Sequence, residues 1–148
     1  MNRFVSQPLD NPAREGELAF QRADLVFYGV DHSGPSFEAR VYLNHEDVDQ
    51  LTAREHPAFA GSFTVFGHAG CAGDVGHCDV PEAPRDAFDR RAPYPLSPQT
   101  KTVIVTEALQ RISDPKLVIS VVAVRPGPDG PQAVDALQFE RFSLLTYS

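Results

Sequence analysis

The sequence predicts an all-β protein: an antiparallel β-sandwich of about six to eight strands, with one short helix near residues 107–112. Three observations carry this reading. Residues 37–43 alternate apolar and polar side chains, the period-two signature of a half-buried strand. Residues 117–125 are nearly all apolar, as a strand buried on both faces should be. Thirteen prolines and ten glycines among 148 residues demand many turns and leave little room for long helices.

Taken in order, residues 1–16 are polar, contain Pro8 and Pro12, and read as an arm outside the core. Residues 17–148 then form a single sandwich domain. Asp24 to Val30 is rich in β-formers and ends in Asp31-His32-Ser33-Gly34-Pro35-Ser36, which is turn chemistry. In the next strand Phe37, Ala39, Val41 and Leu43 face one way and Glu38, Arg40 and Tyr42 the other. Asn44 to Pro57 is an acidic loop. Gly61 to Phe66 is a strand, and a long Gly/Pro-rich loop fills 67–99. A loop of that length inside a compact domain tends to be functional. Lys101 to Thr106 is a strand leading into the helix. Pro126 to Pro131 is a turn. Leu137 to Leu145 closes the chain, with an apolar phase shift that predicts a bulge near Arg141.

Composition narrows the function classes. The length fits one domain with a real core. Hydrophobic and charged fractions of 42% and 22% are those of a globular protein. A net charge of −7 speaks against nucleic acid, whose phosphates need clustered cations. The nearest cluster, Arg85, Arg90 and Arg91, is interleaved with Glu82, Asp86 and Asp89. No apolar run reaches the roughly 18–20 residues that span a bilayer. The start has no apolar signal core, so a cytoplasmic location is expected.

One constellation carries chemistry. Gly67 to Asp79 holds both cysteines and two of the five histidines, spaced by glycines at 67, 70, 73 and 76. Thiolate and imidazole together suit zinc or copper. The candidate ligands are His68, Cys71, His77 and Cys78, joined by His32 if the loops at 31–36 and 67–78 share one pole of the sandwich. His77 and Cys78 are adjacent, which makes a common ion awkward. A disulfide between Cys71 and Cys78 competes with the metal. Closing so short a loop contributes roughly 2–3 kcal/mol in the chain-entropy model, although reducing cytoplasm works against it. Free packed thiols are the third reading. No orienting group or oxyanion hole supports a Cys–His nucleophile, and no phosphate-binding glycine loop opens a helix.

Five segments also come in a familiar order: Phe37 to Asn44, Phe59-Ala60-Gly61-Ser62-Phe63, Thr100 to Leu109, Val118 to Val124, and Leu137 to Leu144. Together they resemble the C-terminal β-sandwich domain of polyphenol oxidases (tyrosinases and catechol oxidases). Ala87-Phe88-Asp89-Arg90 resembles part of the corresponding domain of molluscan hemocyanins. In those families the sandwich covers a helical domain that holds two coppers on six histidines. The resemblance implies a non-catalytic accessory module partnered with a type-3 copper, tyrosinase-like protein. It also makes Tyr94, stiffened by Pro93 and Pro95, a candidate plug for a partner's pocket. The alternative is a stand-alone copper or zinc carrier or sensor built on the 67–79 loop.

Overall fold

The computed structural model of the chain describes residues 1–13, 20–79, 86–90 and 96–148. Among them lie ten strands and one helix, in the order β1 (Arg3–Val5), β2 (Leu9–Asp10), β3 (Arg22–Val30), β4 (Phe37–Leu43), β5 (Phe59–Val65), β6 (Gln99–Ile104), α1 (Thr106–Gln110), β7 (Lys116–Leu117), β8 (Ile119–Arg125), β9 (Gln132–Ala133) and β10 (Arg141–Tyr147). Every pairing is antiparallel. One sheet runs β1-β8-β4-β5 with β9 also on β8, the second runs β10-β3-β6, and β2 pairs with β7 alone.

The alternation in residues 37–43 becomes the core directly. Phe37, Ala39, Val41 and Leu43 meet Ile119, Val121 and Ala123 of β8 and face Leu25, Phe27 and Val103 of the other sheet. Each large apolar side chain fully buried there stabilises the fold by about 1.5–3 kcal/mol. The near-continuous apolar run of β8 has the reason its composition predicts. Its odd-numbered residues enter this core, while Val122 and Val124 join Tyr42 and Val48 in a second, smaller cluster on the outer face. The helix follows its strand as expected and is tied to β3, where the Ala23 N–H donates to Thr106 Oγ1 at 2.9 Å.

Two sequence expectations are corrected. The first ten residues are not an arm. β1 pairs with β8, and Phe4 sets its ring edge-on to Phe139 at 5.0 Å and to Phe142 at 5.8 Å. Phe4 and Leu9 pack on the core, and so few apolar residues in so polar a stretch gave no periodicity to read. Nor is there a bulge near Arg141, since β10 pairs with β3 in unbroken register from Arg141 to Tyr147. The apolar phase shifts because Leu137 and Phe139 precede the strand; the Leu137 N–H donates to the Met1 carbonyl at 2.7 Å. The register shifts lie instead between Phe27 and Val30 and between Val41 and Tyr42. Opposite the second, Gly61 has φ +146°, and a Cβ there would stand 2.5 Å from Val103 Cγ1, so only glycine fits.

Candidate functional site

The turn 31–36 and the start of the long loop meet at one pole of the sandwich. The His68 N–H donates to the His32 carbonyl at 2.8 Å, the Ala69 N–H to the Gly34 carbonyl at 2.9 Å, and the Gly67 N–H to Ser36 Oγ at 2.9 Å. Gly67 makes this approach possible. A Cβ on it would fall 2.1 Å from the Gly34 carbonyl oxygen and 2.3 Å from the Pro35 carbonyl carbon.

His32 is 2% exposed, and its two ring nitrogens are both engaged. Nε2 stands 2.6 Å from the Ser97 carbonyl oxygen, which can only accept, so Nε2 carries a proton. Nδ1 faces Nδ1 of His68 at 3.2 Å, so one of these two nitrogens donates and the other accepts. The pair fastens three segments of the chain to each other: the turn at His32, the loop at His68, and Ser97 before β6.

Beyond His68, the loop is closed by a disulfide between Cys71 and Cys78, with their Cα atoms 6.0 Å apart. In this form neither sulfur is a thiolate. His77 lies on the turn between the two cysteines, with its ring against Gly73. Among the described residues, no three His, Cys, Asp or Glu side chains converge on a point that could hold a metal. The structure thus joins His32 to His68 and Cys71 to Cys78, as two pairs. Tyr94 lies outside the described residues.

Two further clusters, both on the outer face of the β4 sheet, leave no trace in residue spacing. His45 and His56 stack at 4.3 Å, and their spacing in an acidic loop carries no signal. Glu38 Oε2 accepts from Arg54 Nη2 at 2.7 Å and from Arg40 Nε at 3.2 Å. Burial works to raise the Glu38 pKa, but the two guanidiniums outweigh it and hold the carboxyl below the ordinary glutamate value. Burial raises the pKa of the neighbouring Tyr42, whose hydroxyl donates to the Thr52 carbonyl at 2.7 Å.

On the other sheet, the outward side chains of β3, β6 and β10 form a partly apolar surface. Ile104, Leu145 and Tyr147 are 58%, 37% and 47% exposed. Arg22 pairs with the buried Asp24 at 2.8 Å, and Arg141 lies over the Tyr28 ring at 3.7 Å. Past Ile104 the surface drops into a groove of about 540 Å³ that α1 and β5 border.

The fold and these surfaces define a class: an antiparallel sandwich with a clipped polar loop at one pole and exposed apolar side chains on one outer sheet face. No protein-family model matches the chain, and no curated protein matches it. Solved structures do. A recombinantly expressed latent aurone synthase (polyphenol oxidase) superposes with a TM-score of 0.52 at 14% identity, over 99% of this chain and 25% of that one. The latent aurone synthase from its natural source gives 0.51 at 15% identity, again over 99% and 25%. This chain therefore spans about a quarter of the length of the proteins it matches, and what it shares with them is the fold.

Proposed function

We propose that the chain is a non-catalytic accessory module that docks on a type-3 copper, tyrosinase-like protein and restrains its activity. One observation carries the reading: nearly the whole chain is matched by a quarter of an oxidase whose structure is that of a latent form. A quarter of such a chain that folds as a separate sandwich is suited to cover a catalytic region rather than to contain it. The histidines agree. A pair of type-3 coppers needs six, and this chain has five. Four of these are spent in two separate pairs, His32 with His68 and His45 with His56.

The test is to combine the purified chain with a tyrosinase-like type-3 copper protein encoded in the same genome and follow diphenol oxidation. The reading expects the rate to fall as the chain is added and to recover when the chain is digested away. A rate unchanged at saturating chain would overturn it.

A second reading, a copper or zinc carrier, draws on the 3.2 Å separation of the His32 and His68 Nδ1 atoms, which is close to the span of two ligands on one ion. Two imidazoles make a weak site. Cys71 and Cys78 would strengthen it only as thiolates, and a reducing cytoplasm would supply them in that state. Zinc and Cu(I) titrations before and after reduction separate the readings. A carrier should bind one ion tightly in the reduced form, whereas an accessory module should bind none tightly in either.

A further inference from the structure

We propose that the outer face of the β10-β3-β6 sheet is the docking surface of this module, and that it receives a protein patch that is apolar at its centre and carries carboxylates at its edge. The proposal rests on the accessory reading above and adds the surface and the chemistry of its partner.

Register fixes which side chains share this face. Tyr28 lies opposite Arg141, Asp24 opposite both Leu145 and Ile104, and Arg22 opposite Tyr147. The alternate residues, Leu25 and Phe27 on β3 and Phe142 and Leu144 on β10, point into the core. The outward set combines two tyrosines, a leucine, an isoleucine and two arginines with Thr102, Ser143 and the buried Asp24 and Val26. That composition, aromatic and arginine with few free acids, marks the anchoring parts of protein interfaces. Ile104 and Leu145 are exposed on the two flanking strands, on either side of Asp24, and Tyr147 follows Leu145 on the same face.

The other large outer face is treated differently by the same chain. There Tyr42, Val122 and Val124 are roofed by Val48, Ala58 and Phe59 of the segment before β5. An apolar sheet face is thus covered in this protein where its own chain supplies the cover, and the β10-β3-β6 face is left with exposed apolar residues.

Charge chooses the occupant. Among the described residues the one carboxylate that the register places on the face, Asp24, is 3% exposed and held by Arg22. The Arg141 guanidinium lies on Tyr28 with no carboxylate against it among the described residues. In a chain of net charge −7 this face carries a local positive excess. A second copy fits it poorly, because the described carboxylate that its own face would bring, Asp24, is already held by Arg22. Carboxylates on a different protein would complement Arg141.

The experiment measures binding of the full chain to the tyrosinase-like copper protein of the same genome, using the unaltered chain, Ile104→Glu, Arg141→Glu, and Leu51→Glu on the roofed side as control. Circular-dichroism melts confirm that each variant is folded. The proposal expects Ile104→Glu to weaken binding about tenfold or more, a change of hot-spot size. Arg141→Glu should weaken binding and flatten its salt dependence, and Leu51→Glu should leave it within about twofold. Tight binding that survives both face variants overturns this proposal and leaves the accessory reading standing. No binding by the unaltered chain overturns both. A concentration-dependent dimer of the chain alone, broken by Ile104→Glu, would assign the face to a second copy and overturn the proposal as well.

Discussion

The two sheets bury their inner faces in one shared core and use their outer faces in opposite ways. Behind β4 and β8 the chain doubles back through residues 44–58, and Val48, Ala58 and Phe59 complete a second small core around Tyr42. Polar anchors hold that roof: the Tyr42 hydroxyl on Thr52, and Arg54 on Glu38. Behind β3 the central Asp24 and Val26 are buried, while Ile104, Leu145 and Tyr147 on the flanking strands stay exposed. A small sandwich need not roof both sheets to be stable.

The sharpest way to break the comparison is to remove the post of the roof. Tyr42→Ala deletes a wholly buried ring and should cost about 3–5 kcal/mol, read as a lower denaturant midpoint with unchanged slope. The polar loop at the pole is a third case, ordered by a clip instead of by burial. Cys71→Ser/Cys78→Ser should cost up to about 2–3 kcal/mol by the chain-entropy argument, and the native protein should show no reactive thiol until it is reduced. Tyr42→Phe keeps the ring and loses one hydrogen bond, for about 1 kcal/mol.

Acid should weaken the roofed side. Folded Glu38 has a lowered pKa, so it binds its proton more weakly than the unfolded chain does. Its contribution is therefore present above the ordinary glutamate value near 4.5 and is lost as pH falls through the folded one. Glu38→Gln should flatten that limb of the stability profile. The smallest effect belongs to the bare face, where Ile104→Glu should change stability by no more than about 0.5 kcal/mol. A large loss there would mean that the face is part of the core after all.

Where sequence and structure agree, side-chain pattern alone decides the outcome. Residues 37–43 form a strand with the bounds their alternation gives, and the apolar run before Arg125 is buried on both sides. Where they part, the deciding contacts are few and distant. One phenylalanine, Phe4, brings the N-terminus onto Phe139 and Phe142, more than a hundred residues away. One valine, Val48, makes a cover of an acidic loop. At the pole, the spacing already offers the Cys71–Cys78 disulfide as one reading, whereas the His32–His68 pair depends on backbone approach at Gly67. The outer face of β3 was hidden for a similar reason. Its members come from three strands, and they become a surface only once register places Ile104 and Leu145 on either side of Asp24.

The central claim, one outer face roofed and the other kept for a partner, is tested most directly by hydroxyl-radical footprinting of side chains, with and without the tyrosinase-like copper protein. In the chain alone Tyr147, Leu145 and Ile104 should be modified readily while Tyr42 and Val48 are spared. On adding the partner, modification of the first three should fall and that of Leu51, on the roofed side, should persist. Protection confined to Leu51 and its neighbours, with Tyr147, Leu145 and Ile104 still modified at full rate, would contradict the account.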